Sequence, residues 1–416
     1  MISRCCLPAA LAFSCSAPAT AQIGGFVLAR GGMTEGSKAA STGYGAIDTS
    51  GTSSEFALFV EGKLEGFEWR VRAQVAGRTE DFPGKPGVRI NSLSYRHKLT
   101  DRLQVSVGKQ QRVWGSGLSY QPIGFFRTET DLRDPTDSEG RAEGLPLVEA
   151  TWLGDLLTTE VVYSDDLASV GDRRLRQWAV RTGAQIGKID ASVLARGRRG
   201  APAGLGASAN WASNAWVAYG DAFYGPLERG RLDADRPLSI VAGVEHPSGT
   251  LPKEERARRV NAVVGLTFTP SAPWALSAEW QHRGNGLTAH RWRGLVDTVT
   301  AAAERLRTSD AGAAYRDILL YLPLLSGGAA RRDYVFGRVA FSKSLFSAAL
   351  NGTVGVADGS AIITATSSYA LSPLLTVSLA ATRFMGNDRE EFGLSPVSQI
   401  VSVSLRRSVD FKLRRD

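Results

Sequence analysis

The sequence predicts an all-β chain, a transmembrane antiparallel up-and-down β-barrel of about 18 strands (16–18) with long extracellular or inward-folded loops. Three observations predict it. Polarity alternates with period two along most of the chain, short turns alternate with long connections, and no stretch beyond the N-terminus has the eighteen or so apolar residues of a spanning helix. The longest apolar candidate, Ile318 to Leu325, is short and interrupted by Pro323. A hydrophobic content of 43% with a mean hydropathy of −0.12 likewise argues against a helical membrane protein.

The N-terminus reads as an export signal over residues 1–21, followed by a barrel domain over 22–416. Arg4 supplies the positive region, Cys5 to Phe13 the apolar core and Ala19-Thr20-Ala21 the small-x-small cleavage site, so the mature chain is expected to begin near Gln22. A lipid anchor on Cys15 is disfavoured by Phe13 and Ser14 before it. All three cysteines, Cys5, Cys6 and Cys15, fall inside the segment expected to be removed. An exported chain of this length without thiols needs another source of stability, and a closed sheet supplies one.

The strands follow from the alternation. Phe67, Trp69, Val71, Ala73 and Val75 are apolar while Glu68, Arg70, Arg72 and Gln74 fill the even positions, which a two-sided strand segregates and a helix cannot. Leu93, Tyr95 and Leu99 return through Thr100-Asp101 as Leu103, Val105 and Val107. Trp178 to Ile186 turn at Gly187-Lys188, Val260 to Phe268 turn at 270–273 into Trp274, and Ala361 to Leu371 turn at Ser372-Pro373. Short turns are expected near 62, 100, 154, 187, 270, 344 and 372, and the longest connections at 31–53, 110–145 and 284–331. One stretch breaks the rhythm: 220–236 should be a short turn and is too long for one, by a slipped register or an insertion. The last strand carries Val401, Val403, Leu405, Val409 and Phe411, interrupted by Arg407 and followed by five further residues instead of ending on the aromatic.

The segment 110–145 mixes Trp114, Tyr120, Phe125 and Phe126 with Arg112, Arg127, Arg133, Asp131 and Asp134, a composition neither disordered nor regular, and it is expected to fold into the lumen as a constriction. Here the chain resembles porin-like outer-membrane proteins of the alginate-export type, through Gly108-Lys109-Gln110, Trp114-Gly115 and Asp134-Pro135. The resemblance covers a short part of the chain and bears on the fold more than on a substrate. The second long connection holds a helix candidate with Trp292, Leu295, Val296, Val299, Ala302, Ala303 and Leu306 on one stripe. A lid or inward plug is its expected role, and a helix lying on the outer leaflet is the other option.

The polar face of the strands carries Arg70, Arg72, Arg96, Lys98, Arg102, Arg181 and Arg196 against fewer acids, among them Glu68, Glu149, Glu160, Asp190 and Glu279. With Arg112, Arg127 and Arg133 of the loop these are the expected pore-lining residues. A positive lumen concentrates anions; the same arginines could instead pair with the acids and simply keep the interior solvated. Signals for an enzyme are thin: His97, His246, His282 and His290 lack the HExxH spacing, and Gly115-Ser116-Gly117 is not a nucleophile elbow. No metal or cofactor is expected.

The sequence thus predicts a channel of the outer membrane, for diffusion or export of small to medium polar, anionic solutes such as acidic saccharides. The alternative is a non-conducting structural or assembly component of an envelope complex. Expected partners are outer-membrane lipids and lipopolysaccharide, the barrel-assembly machinery, the solutes and components of an export complex; nucleic acid is not among them.

Overall fold

A computed structural model of the chain describes residues 22–37, 50–64, 66–78, 85–126, 144–166, 175–199, 201–226, 258–284, 286–308 and 330–412. Residues 1–21, the segment read as an export signal, lie outside the described residues, as do 413–416. Eighteen strands run β1 (Gln22–Gly36), β2 (Gly51–Leu64), β3 (Phe67–Arg78), β4 (Lys85–Lys98), β5 (Leu103–Gln110), β6 (Leu145–Leu153), β7 (Leu157–Asp166), β8 (Leu175–Ile186) and β9 (Ile189–Arg198) through the first half. The second half continues with β10 (Ala201–Ala212), β11 (Trp216–Pro226), β12 (Arg258–Phe268), β13 (Trp274–Arg283), β14 (Asp333–Lys343), β15 (Phe346–Gly355), β16 (Ala361–Ser372), β17 (Leu375–Met385) and β18 (Val397–Lys412). Among the described residues one helix, α1 (Ala289–Thr308), lies between β13 and β14.

Each strand pairs antiparallel with its neighbours in sequence, and β1 pairs with β18 from Gln22↔Lys412 to Gly36↔Val397. The sheet is therefore a closed up-and-down barrel. Closure leaves no edge, so backbone donors and acceptors are met within the wall, the condition for strands to stand in hydrocarbon.

Cross-strand partners share a face, and the pairing sorts the alternation into inside and outside. Val161, Val193, Leu205, Val264, Leu350 and Leu379 point outward and are exposed. Toward the short-turn end this belt is edged by Trp152, Trp211, Trp216, Trp274, Phe346 and Tyr369, and toward the other end by Tyr163, Trp178, Tyr224 and Trp280. Two aromatic bands around an apolar belt are the signature of a barrel immersed in a bilayer, because amphipathic rings settle at both interfaces.

One end carries short turns, at 99–102, 154–156, 187–188, 213–215, 269–273, 344–345 and 373–374 among others, and the other carries the long connections together with two shorter ones, 199–200 and 356–360. The turn at 213–215 resolves the irregularity read at 220–236. Residues up to Pro226 complete β11, and the connection 227–257 belongs to the opposite end, so the register of the sequence reading had slipped by one strand. The long connections are also shorter than read at one place, since β1 extends to Gly36 and β2 starts at Gly51.

An arginine in the middle of the apolar belt should impair assembly. Val264→Arg is expected to destabilise the barrel by about 2–4 kcal/mol, read as loss of heat-modifiable migration, while Thr366→Arg on the inner wall should fold.

Candidate functional site

Residues 111–126 leave β5 and turn back into the barrel instead of extending the sheet. Trp114, Ile123, Phe125 and Phe126 pack on Leu147 of β6, Val162 of β7, Ala179 of β8, Leu194 of β9 and Phe223 of β11, all on the inner face. The Trp114 ring meets Phe126 edge-on at 5.2 Å and Phe125 meets Phe223 at 4.7 Å. The Arg196 guanidinium lies 3.9 Å over the Phe125 ring. Each large apolar side chain so buried contributes roughly 1.5–3 kcal/mol. The tight course requires glycine at one point: a Cβ on Gly117 would sit 1.9 Å from the Tyr120 carbonyl oxygen. The Gln121 amide closes the same turn by donating to the Gly117 carbonyl at 2.9 Å.

Three buried carboxylates of the wall hold the loop. Asp221 of β11 accepts from the Ser116 amide at 2.7 Å, the Ser116 hydroxyl at 3.0 Å and the Gly117 amide at 3.3 Å. Glu279 of β13 accepts from the Leu118 amide, from the Ser119 amide at 3.0 Å and hydroxyl, and from the Tyr219 hydroxyl at 2.8 Å. Glu149 of β6 accepts from the Arg112 guanidinium and from the hydroxyls of Ser106 and Thr151 at 3.2 Å each. All three acids are 2% exposed. A carboxylate withdrawn from water is tolerated when charge-assisted donors replace its hydration, and here most of the donors come from the loop itself.

The wall from β14 to β17 is different. Toward the short turns its inner face is lined mainly by short side chains, and hydroxyls bond across strands, Ser347 to Ser368 at 2.6 Å and Thr364 to Thr382 at 3.1 Å, while toward the other end Tyr334, Ile362 and Phe384 pack with Phe392. A cavity of about 290 Å³ opens there beside Arg338, Ser342, Thr366 and Ser378. This space lies outside the packing of residues 111–126.

At the long-connection end a second buried network forms around Glu391, in the 386–396 connection. Its carboxylate accepts from the Tyr334 hydroxyl at 2.7 and 2.8 Å and from the Ala330 amide. Burial pushes the Glu391 carboxyl above its ordinary value, against the opposing pull of those donors. Arg331 pairs with Asp358 at 3.0 Å and stands 5.6 Å from the Trp292 ring of α1. The Trp292 indole donates to the Arg389 carbonyl at 2.9 Å, and Arg389 pairs with Asp297. With Trp292, Leu295 and Val296 buried, the first half of α1 docks on this cap; the side chains of Val299, Ala302, Ala303 and Leu306 lie outside the described residues.

Of the residues singled out in the sequence, Arg70, Arg72, Arg96, Lys98, Arg181 and Arg196 occupy inward positions. Arg70 pairs with Glu61 at 2.8 Å, Arg72 with Glu55, and Arg181 with Glu160 at 3.2 Å. Arg196 donates to Gln177 at 2.7 Å. Lys98 stands 3.9 Å from Asp101 beside the short turns, and Arg102, within the turn 99–102, bonds Asp155 of the next turn at 3.0 Å, on the rim and not on the wall. Arg112, Trp114, Tyr120 and Phe125 come together in the inward loop, while Arg127, Asp131, Arg133 and Asp134 lie outside the described residues. Sequence reasoning missed Asp221, Tyr219, Phe223 and Arg338. Leu147, Val162, Leu194 and Phe223 are apolar at inward positions, and that doubled apolarity of β6 to β11 was the available sign of a docked loop.

No protein-family model matches the sequence, and no curated protein is similar to it in sequence. Solved structures share the fold. OpdK of Pseudomonas aeruginosa, solved with vanillate, superposes with a TM-score of 0.53 at 7% identity, over 94% of this chain and 99% of that one. A BenF-like porin of Pseudomonas fluorescens Pf-5 gives 0.53 at 10% identity over 95% and 99%, and OccAB1 of Acinetobacter baumannii gives 0.53 at 12% over 94% and 97%. At these identities the likeness establishes the architecture, a porin-type barrel.

Asp221→Asn, which weakens the acceptor for three loop donors, should loosen the loop without unfolding the barrel, at a cost of about 1–3 kcal/mol. Limited proteolysis should then cut within 111–126 while heat-modifiable migration persists; an uncut loop would show that Asp221 does not hold it.

Proposed function

We propose that the chain is an outer-membrane channel through which small polar solutes diffuse passively, with the 111–126 loop as its constriction. The observation that carries this reading is the loop itself: a segment held inside a closed barrel by three wall carboxylates narrows the lumen without filling the hydroxylated side from β14 to β17. A barrel of this strand number encloses an aqueous lumen unless loops fill it. The fold it shares with porins, one of them solved with vanillate, supports the same reading.

The solutes are anionic in this proposal, acidic saccharides among them. The inner-wall acids Asp221 and Glu279 are engaged by the loop, and Glu149 by Arg112, which removes them from the path. Arg338 and Arg406 have neutral neighbours, Asn351 at 3.4 Å and the Phe26 ring at 3.8 Å, so their charge is open to a passing solute. The apolar belt would take outer-membrane lipids and lipopolysaccharide. Export through the inner membrane by residues 1–21, insertion by the barrel-assembly machinery, the periplasmic placing of the short turns and association with an export complex belong to the same proposal.

In planar bilayers the protein should conduct, and deletion of 113–125 should raise the single-channel conductance. Anion preference should be stronger near 0.01 M than near 1 M salt, because the Debye length falls from about 30 Å to about 3 Å. Arg338→Gln with Arg406→Gln should move the reversal potential toward the cation side. No conductance in either the full chain or the deletion would favour the non-conducting alternative.

A further inference from the structure

We propose that Arg283, at the far end of β13, is a positioning residue that ties the constriction loop to the outer cap, so that the two move as one unit. Its side chain is buried at 5% exposure between the two networks. On the loop side its guanidinium lies 4.2 Å over the Tyr120 ring and donates to the side-chain amide oxygen of Gln281, Oε1, at 3.2 Å. Gln281 in turn donates to the Ser119 hydroxyl at 2.6 Å, and Ser119 is one of the residues that Glu279 holds. On the cap side the same guanidinium stands 5.6 Å over the Tyr334 ring, whose hydroxyl bonds Glu391.

The arrangement is a continuous chain of contacts from the amides of the loop to the 386–396 connection, with one cation at its centre. A planar guanidinium suits that place, because it attracts two aromatic faces while its edge still donates a hydrogen bond. The Tyr334 hydroxyl also accepts from the Arg331 amide, so the segment ahead of β14, which follows α1 in the chain, enters the same chain of contacts. A change at the cap, by a ligand or by loss of the Glu391 anchor, is thereby transmitted to the constriction. For the channel function proposed above, this makes the cap a control on the width of the path, and the inference rests on that reading for its meaning but not for its test.

The test is a hydrogen-exchange comparison on the full chain in detergent, following the amides of Ser116 to Ser119. Glu391→Ala should speed their exchange several-fold in the otherwise native protein, and much less once Arg283→Gln is present, with Arg283→Lys restoring part of the transmission. Heat-modifiable migration confirms that each variant is folded, and Tyr334→Phe serves if Glu391→Ala fails to assemble. Faster exchange confined to 330–334 and 386–396, or an equal gain in the loop with and without Arg283, would overturn the proposal. A barrel that shows the coupling but carries no current would instead refute the channel and leave the coupling standing.

Discussion

Closure of the sheet between β1 and β18 is the constraint on which the rest depends. Once Gln22 to Gly36 are paired with the last strand, every residue of the wall has one of two addresses, and a shift of one position would exchange them. The outward address is apolar between two aromatic bands. The inward address is free to be polar, and because eighteen strands enclose more room than their own side chains fill, it creates an interior that another part of the chain can enter.

What enters is the 111–126 loop, and its attachment explains the uneven inner wall. From β6 to β11 the wall offers apolar side chains to Trp114, Ile123, Phe125 and Phe126, and on β6, β11 and β13 it places the buried acids that receive the loop's amides, hydroxyls and Arg112. Away from the loop, toward the short-turn end of β14 to β17, the wall is mostly Ser, Thr and Ala with hydroxyls bonded in pairs, while toward the other end Tyr334, Ile362 and Phe384 pack with Phe392. The division follows from desolvation. An acid under the loop is stable only with donors supplied by it, whereas a hydroxyl facing water needs none.

The alternation of Phe67 to Val75 or Val260 to Phe268 was legible because those strands face lipid on one side and water or other polar groups on the other. It failed where the inside is itself a core. In β11, Tyr219 and Phe223 point inward beneath the loop while Trp216 and Tyr224 point outward, so both faces read as apolar and the strand lost its signature. The turn at 213–215 was hidden for a related reason: Ser213-Asn214-Ala215 lies between Trp211 and Trp216 without glycine or proline, and the alanines and glycines of β10 give little contrast. Asp221 was lost with that register. The inward fold of the loop was read from its mixture of aromatic, basic and acidic residues, but its anchors were not: Glu149 and Glu279 were read only as polar-face acids, and Asp221 and Glu279 lie 105 and 160 residues beyond the loop residues they hold.

The central claim, that the loop is held against the inner wall by β6, β11 and β13 and so lies beside β10, can be tested by a covalent tether. The Ser116 and Ser208 hydroxyls stand 3.3 Å apart, and the three natural cysteines all precede residue 22. In the pair Ser116→Cys with Ser208→Cys, proteolytic fragments of the folded protein should remain joined under oxidising conditions and separate on reduction, with heat-modifiable migration otherwise unchanged. Two thiols that stay free and react independently with a label added to the folded barrel would show that the loop does not lie against the inner wall.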